Sequence, residues 1–553
     1  MAKGRSKKRQ RNGSAQADTL DNTVPKTDSP SKKAKVSPVK DHATANTPFI
    51  KPQISSTKGD SNKKFLTPQD GPAYYNLVRD HYQGFVHIPA DQVTPSNFHQ
   101  IAKAAFERLR DANYYQYDIV KAGGKHASRT FVKRTLVGEP GITYKYLGLR
   151  LFAHAWSGPG VLPVMKTIGD LNQYMIQMTK KYENHGKCDY NLTLINFMEP
   201  SSHSKVGFKD EAFYGMGKVS VSWHADSSLE KNSSIGVYHC LPSQRHTKWD
   251  WRIALRRTPE STEDADKILP IATSTKDGDA YFLLGTFNET HQHCVLSGSE
   301  SNRISSTHRV AVTDEDTFDY IKKRANGALK RFRLQLAGDI SEMDAKVIVY
   351  CQRVLTEIEM EWIAQYWLQG AEHDRMHVWW QRPMKTLEAL WLSLEELTFQ
   401  LYQLCTKEPC QVPRLAIKGF QLELESRHTQ RQQWDERRAD KIYQRRIQEI
   451  YRPVERPTFD ETDKKRLGKD LQPAIQALQL IRDQQHVGRS KKVNQNAHQE
   501  TGSMSKAGEA GGNGKNHNRP ESKSNRKQQS TLVSGDNRKV KAKQKLQKGP
   551  GVQ

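Results

Sequence analysis

The sequence predicts an α+β chain in which a β-rich region precedes a helical region, with a basic tail at each end. Short segments rich in aromatic and β-branched residues, such as 143–152 and 191–198, recur between turn residues and indicate strands. After about Thr313, apolar residues recur at helical spacing instead. We therefore expect a β-rich domain over residues 65–313 and an all-α domain, a helical bundle, over residues 314–483.

The two tails carry most of the chain's positive charge. Residues 1–64 hold 15 basic and 5 acidic residues and residues 484–553 hold 15 and 4, so only +4 of the formal charge of +25 belongs to the residues between them. Phe49 is the single aromatic residue of the two tails, and so little apolar surface predicts disorder. The basic clusters at 7–11 and 32–35 favour nuclear import or contact with phosphates, against the plainer alternative of a solvated charge run. We expect a nuclear protein that could also shuttle to the cytoplasm.

The remaining composition narrows the class of protein. No apolar segment follows the first charges as it would in a secretory signal, and no apolar run approaches the roughly 18 residues of a membrane span. The six cysteines are scattered, without the paired spacing of a zinc ribbon or the density of a disulfide framework. These features predict a protein of a reducing compartment that has no membrane partner.

The elements of the two domains follow from local patterns. Thr94 can cap a helix that begins at Pro95 and runs to about Arg110. The apolar face of that helix is predicted to comprise Phe98, Ile101, Ala105 and Leu109. The repeated short strands that follow favour a closed or double-sheet β architecture. In the helical region, we expect helices over residues 387–404 and 415–450.

One pattern in the β-rich region suits metal chemistry. His224 and Asp226 follow a strand-like segment, where residues two apart share a face. A second imidazole could come from His291 or from His293, which alternation alone does not distinguish. Two histidines and a carboxylate form the facial triad of non-haem iron(II) oxygenases, although a hydrolytic zinc site accepts the same set. Arg303 lies shortly beyond and can bind a carboxylate through two hydrogen bonds, as an oxygenase that uses 2-oxoglutarate requires.

Ten short segments between residues 143 and 391 identify a family resemblance, and the likeness as a whole runs in order from about Phe65 to about Arg482. They are 143–147 (TYKYL), 194–198 (LINFM), 214–218 (YGMGK), 221–224 (VSWH), 290–296 (THQHCVL), 305–310 (SSTHRV), 368–370 (LQG), 373–375 (HDR), 379–380 (WW) and 387–391 (LEALW). In this order they resemble the fat mass and obesity-associated family of AlkB-like nucleic-acid demethylases. The resemblance implies a double-stranded β-helix (jelly-roll) dioxygenase domain followed by a supporting all-α domain.

The resemblance also implies the cofactors and the residues that bind them. It implies Fe(II) bound by His224, Asp226 and His293, with 2-oxoglutarate and O2 as cosubstrates. Arg303 is expected to bind the distal carboxylate of 2-oxoglutarate, with Ser305 beside it. Further cosubstrate contacts are expected from Asn196, Tyr281, Thr307 and Arg309. The gap between His293 and Arg303 is one residue longer than is usual in the family, which leaves open a partial exchange of roles between Arg303 and Arg309. His239 and His308 are expected to be structural.

The substrate pocket is likewise implied by the resemblance. Its expected residues are Arg134, Tyr144, Tyr146, Leu147, Val221 and Trp223, together with Ala225 and Ser227, which flank the ligand Asp226. Ser227 stands where the family commonly has a carboxylate, and Ala225 where it commonly has a second histidine, so base preference could differ. Residues 201–218 resemble the cover that obstructs duplexes in the family.

The resemblance implies demethylation of N6-methyladenosine in single-stranded RNA, releasing succinate, CO2 and formaldehyde. Single-stranded DNA is a possible second substrate. One alternative is an oxygenase for another methylated base, such as 3-methyluracil or 3-methylthymine, or for a protein. Another is a non-catalytic RNA-binding protein whose tails supply the affinity.

Overall fold

The computed structural model describes residues 64–93, 96–120, 128–202, 208–242, 250–258, 267–298, 300–450, 454, 456–460 and 462–485. The expectations for the two tails, and the cap at Thr94 and Pro95, lie outside these residues.

Two sheets that face each other form the first half of the fold. The larger has the strand order β1 (Phe85–Ile88), β13 (Ala280–Leu283), β10 (Ile235–Cys240), β15 (Arg303–Arg309), β8 (Leu192–Met198), β4 (Lys133–Gly138) and β7 (His154–Ala155). The smaller has the order β12 (Ile271–Ser274), β11 (Arg252–Arg257), β14 (His291–Leu296) and β9 (Val219–His224). All neighbours in both sheets are antiparallel except β4 and β7. The predicted jelly-roll architecture is confirmed.

Helices cover the outer face of the larger sheet. The helices of this region are α1 (Pro72–His81), α2 (Ala90–Val93), α3 (Ser96–Asp111), α4 (Pro163–Thr179) and α5 (Phe287–Thr290). Helix α3 matches the predicted helix, but Ile101 is 51% exposed whereas Ala102 and Phe106 are fully buried. The apolar face is therefore turned by about one residue from the predicted one, because it must meet α4 and the sheet.

Two hairpins extend the β-rich region. They are β2 (Ile119–Val120) with β3 (Ser128–Arg129), and β5 (Thr143–Tyr146) with β6 (Leu149–Phe152). The second divides the strand-like segment 143–152 at Leu147 and Gly148, both of which have positive φ, at 47° and 77°. Glycine takes such a conformation at no steric cost, so the pair makes a tight turn.

The second half is a helical bundle, as predicted. Its helices are α6 (Phe318–Ala337), α7 (Ala345–Glu357), α8 (Ala364–Leu368), α9 (Ala371–Met376), α10 (Val378–Lys407), α11 (Arg414–Ala439) and α12 (Lys441–Ile450), and residues 472–485 are also helical. A π-helical turn, Ile358–Ile363, joins α7 to α8. The helix predicted over residues 415–450 is interrupted at Asp440, whose extended backbone (φ −59°, ψ 133°) ends α11. None of the described helices is both long and apolar enough to cross a membrane.

Arg150 on β6 connects the β5–β6 hairpin to this bundle. Its guanidinium lies 4.1 Å from the ring centre of Trp362 and donates to the backbone carbonyl of Glu361 at 2.8 Å. It also pairs with Asp316 at 3.0 Å and is only 2% exposed. The hairpin is thus held against the π-helical turn by a buried charge.

Candidate active site

The structure brings together the three residues expected to bind iron. His224 at the end of β9, Asp226 two residues later and His293 on β14 each offer one ligand atom, and these atoms lie within 4.8 Å of one another. Nε2 of His224 is 3.7 Å from Oδ1 of Asp226, and the two imidazole centres are 4.1 Å apart. Among the described residues, no other three His, Cys, Asp or Glu side chains meet this spacing.

A bulge in β9 sets the direction of its side chains. On β14, His293 and Val295 are two positions apart. Their partners on β9, His224 and Val221, are three positions apart, so β9 carries an extra residue between them. Val221 and His224 consequently line one cavity, while Trp223 packs on the outer side of the smaller sheet. The placement of Trp223 in the base pocket is thus corrected, because the bulge turns its ring away.

The same bulge orients the first ligand. The backbone carbonyl of Ser222 accepts a hydrogen bond from Nδ1 of His224 at 2.8 Å. Because the proton is then on Nδ1, the lone pair of Nε2 is left to coordinate a metal, as is usual for ligating imidazoles.

Asp226 is held on both its backbone and its side chain. The amide of Asn288 accepts from the backbone N–H of Asp226 and donates to its backbone carbonyl, each at 2.9 Å. Nη2 of Arg309 lies 2.8 Å from its carboxylate. Burial by itself would raise the pKa of Asp226, but the charge of Arg309 and the neighbouring His293 and His224 bring it below the ordinary value. The carboxylate is therefore ionised, as a metal ligand must be.

The structure distinguishes His293 from His291. His291 stands directly after α5, where its ring stacks on Phe287 with centres 3.9 Å apart and its Nε2 lies 3.0 Å from the carbonyl of His81. His293 instead faces His224 from the paired strand. Burial, together with the neighbouring His224, lowers the pKa of His293 to about 3. This imidazole is consequently neutral and able to donate its lone pair.

The residues expected to contact 2-oxoglutarate lie on one wall of the cavity. They are Asn196, Tyr281, Arg303, Ser305, Thr307 and Arg309. Alternation along β15 places its four members on one face, and Ser305 pairs directly with Asn196 on β8. Nη1 of Arg303 donates to Oγ of Ser305 at 3.1 Å. Burial raises the pKa of Tyr281 to about 12, so its hydroxyl stays protonated and can donate a hydrogen bond. Of the two arginines on this wall, Arg309 pairs with Asp226 and Arg303 does not.

The residues expected to bind the base line the same cavity, apart from Trp223. They are Arg134, Tyr144, Tyr146, Leu147, Val221, Ala225 and Ser227, and they share with the metal ligands a cavity of about 180 Å³. The guanidinium of Arg134 pairs with Asp118 at 2.9 Å and lies 4.2 Å from the ring centre of Tyr146. The hydroxyl of Tyr144 donates to the backbone carbonyl of Ser227 at 2.7 Å. The β5–β6 hairpin is therefore tied to the loop that carries the ligand carboxylate.

Trp223 acts on a different part of the site. Its Nε1 donates at 2.8 Å to Glu211, which also accepts the backbone N–H of Phe213 at 3.1 Å. The guanidinium of Arg256 lies 4.7 Å from the ring of Trp223 and 5.2 Å from that of Phe213. Residues 208–218, called the cover segment below, are thus fixed to the outer side of β9. Residues 203–207 of the expected cover lie outside the described part of the chain.

Three residues that contact the site's side chains have little or no signal for that role in the sequence. Asn288 and Glu211 lie in segments that read as ordinary turn and loop, and the partner of each is known only from the fold. His239, expected to be structural, accepts a hydrogen bond from Arg303. A search for polar residues near motif histidines could have suggested Asn288, but not its orientation.

The donor set fits an Fe(II) ion. Two imidazoles and one ionised carboxylate face a common point, one imidazole is oriented by a backbone carbonyl, and the remaining coordination positions would open towards the cavity. A hydrolytic zinc site would accept the same three ligands, but it would have no need of the buried Arg303, which lines the same cavity and suits a carboxylate cosubstrate.

Comparisons with known proteins agree with this geometry. The family model described as the FTO catalytic domain matches residues 72–162 and 164–312, and that of the FTO C-terminal domain matches residues 316–480. The alpha-ketoglutarate-dependent dioxygenase FTO of Xenopus laevis is 29% identical over 488 residues, which cover 76% of this chain and 93% of the Xenopus protein.

Somewhat less than half of the chain is also similar to solved structures. An oxidoreductase of the 2OG-Fe(II) oxygenase family from Burkholderia pseudomallei is 17% identical with a TM-score of 0.26, over 45% of this chain and 95% of that one. A prolyl-4-hydroxylase from Pseudomonas putida is 10% identical with a TM-score of 0.25, over 43% of this chain and 100% of that one.

The family assignment follows from the two family models and the Xenopus relative. Both models come from one family, match in the order catalytic domain then C-terminal domain, and together span most of the chain. The chain therefore belongs to the FTO family and is an Fe(II)- and 2-oxoglutarate-dependent dioxygenase.

Proposed function

We propose that this dioxygenase removes the N-methyl group of N6-methyladenosine in single-stranded RNA. The observation that carries the proposal is the composition of the cavity, where two tyrosines, a leucine and a buried arginine line the same space as the metal ligands. Aromatic and aliphatic side chains can stack on a base, at roughly 1–3 kcal/mol for each stacked base. A base so held would present its exocyclic methyl group to the metal.

The chain's own residues would bind, orient and shield the reactants. Arg303 would neutralise the distal carboxylate of 2-oxoglutarate, while His224, Asp226 and His293 hold Fe(II). When bound, the iron would allow O2 to act as the oxidant: one oxygen atom would enter succinate as 2-oxoglutarate loses CO2, and the other would hydroxylate the methyl C–H. The hydroxymethyl product would then break down to formaldehyde and the free amine. Tyr144 would fix the base wall relative to the ligand loop through its hydrogen bond.

Single-stranded substrate is favoured on energetic grounds. A base must leave its stack to enter the cavity, which costs roughly a few kcal/mol less when the strand is unpaired. The cover segment beside β9 would further obstruct a duplex. Single-stranded RNA is accordingly the proposed partner, with the nucleus as the proposed location because of the basic clusters in the N-terminal tail.

Ser227 and Arg134 bear on which methylated base the cavity accepts. Ser227 offers a hydroxyl where the family commonly has a carboxylate, so hydrogen bonding to the base edge would differ. Arg134 supplies a buried donor in the same cavity. An enzyme preferring 3-methyluracil is the alternative that these residues allow.

Mass spectrometry of methylated oligonucleotides tests the proposal. Protein with Fe(II), ascorbate and 2-oxoglutarate would be given three substrates in parallel: single-stranded RNA with N6-methyladenosine, the same strand in a duplex, and single-stranded RNA with 3-methyluracil. We expect loss of one methyl mass from the first, much less from the others, and none with His224→Ala. Demethylation of 3-methyluracil alone would overturn the base assignment, and no demethylation with continued succinate formation would overturn the substrate class.

A further inference from the structure

We propose that His239 is a positioning residue for 2-oxoglutarate, which it serves by fixing the guanidinium of Arg303 so that the outer edge of the guanidinium meets the distal carboxylate. The inference deepens the proposed function, because it rests on the proposed assignment of Arg303 to 2-oxoglutarate. It concerns cosubstrate binding alone and does not depend on the identity of the base.

The contact is short and fully buried. The Nε–H of Arg303 donates to Nδ1 of His239 at 2.8 Å, and the two side chains are 2% and 0% exposed. His239 lies on β10 directly opposite Ser305 on β15, so both flank Arg303 across one strand pair. A charge-assisted hydrogen bond in such surroundings is strong, because no water competes for it.

The bond determines which edge of Arg303 is available. Nε is occupied by His239, and Nη1 contacts Oγ of Ser305 and Sδ of Met198, each at 3.1 Å. A carboxylate therefore cannot bind along the Nε side and would approach end-on, through Nη2 and through Nη1 in place of the contacts of Nη1 with Ser305 and Met198. Arg303 lines the cavity that also contains the metal ligands.

The protonation of His239 supports this role. Burial lowers the pKa of His239 well below its ordinary value, and the charge of Arg303 lowers it further. The ring is neutral, and since Nδ1 accepts, the proton must be on Nε2. That Nε2 is buried and has no hydrogen-bond partner in the described part of the chain. Burying the Nε2–H donor without a partner costs free energy. We therefore infer that the orientation of the imidazole serves the bond from Arg303 to Nδ1 and not a hydrogen bond from Nε2.

Three variants separate positioning from general stability. His239→Phe keeps a planar ring but removes the acceptor, and His239→Asn restores an acceptor near the position of Nδ1. His308→Phe is the matched control: His308 is also fully buried in the larger sheet, but it bonds to Asn172 and Thr193 on the outer side.

The readout is equilibrium binding of 2-oxoglutarate to the Mn(II)-loaded protein by calorimetry, without any RNA. We expect His239→Phe to weaken binding roughly ten- to a hundredfold, as loss of a hydrogen bond to a charged group predicts. His239→Asn should recover most of the affinity, and His308→Phe should bind as the wild type does. In turnover, KM for 2-oxoglutarate should rise while kcat at saturation changes little.

Two results would overturn the inference. One is a folded His239→Phe protein with wild-type affinity for 2-oxoglutarate, and the other is an equal loss in His308→Phe, which would mark the effect as general destabilisation. The outcome is independent of the substrate proposal: a wild-type protein that binds 2-oxoglutarate in a His239-dependent way yet leaves N6-methyladenosine intact would support the positioning role and refute only the base assignment.

Discussion

Replacing Arg150 with Met should destabilise the protein by about 3 kcal/mol. Methionine keeps much of the length and the packing on Trp362 but removes the charge, so buried Asp316 loses its 3.0 Å partner and the carbonyl of Glu361 loses its donor. Breaking a buried ion pair from one side costs roughly 3–5 kcal/mol. We expect the lower end of that range because Lys145, 3.3 Å from Asp316, still offsets part of its charge.

Thermal and urea unfolding would measure this effect, with an expected fall in Tm of about 5–10 °C. Arg353→Met is the matched control, because Arg353 is also paired, with Glu423 at 2.9 Å, but its side chain is 66% exposed. Such exposed pairs are worth about 1 kcal/mol or less. Equal unfolding midpoints for the two variants would refute the view that the buried charge holds the hairpin to the bundle.

Three further changes test other contacts. Tyr144→Phe removes the hydrogen bond to Ser227 and should raise KM for the RNA several-fold, for a cost of about 1 kcal/mol, in steady-state kinetics; an unchanged KM would contradict the role of that bond. Trp223→Phe should release the cover segment from Glu211 and raise activity on duplex relative to single-stranded RNA, and an unchanged ratio would show that the tether does not set strand preference. Burial lowers the pKa of His377 to about 4 from 6.5. The unfolded chain therefore takes up this proton first, and stability present above about pH 6.5 should be lost as pH falls towards 4, by about 3 kcal/mol in urea unfolding. His377→Gln should lack this part of the acid sensitivity, and an identical pH profile for that variant would exclude the assignment.

Much of the fold could be predicted because local patterns agree with the tertiary structure. The alternation of β15, which places Arg303 and Ser305 on one face, is regular over the whole strand. The change from strands to helices after about Thr313 likewise coincides with a change in the spacing of apolar residues to that of a helix. Ile101 was misplaced because several apolar residues compete for the inner face of α3, and only the position of α4 decides between them.

The site was less predictable where its geometry depends on irregular backbone. Trp223 was assigned to the base pocket because a resemblance transfers residue types but not the face that a bulged strand gives them. The supporting contact from Asn288 to Asp226 joins residues 62 positions apart, and the contact from Arg303 to His239 joins residues 64 apart. No periodic pattern encodes such pairs, since each depends on how two sheets are paired and stacked.

The bulge in β9 has a consequence for how this strand can evolve. Deleting Ser222 would remove the extra residue between Val221 and His224, leaving only the second register shift, opposite Val295 and Leu296, and a more continuous ladder is the more stable arrangement for a strand as such. The same deletion would remove the carbonyl that orients His224, so the protein would gain stability at the expense of its metal site. Selection for thermal stability alone would therefore tend to remove this residue, and its presence is an instance of a trade-off between stability and activity.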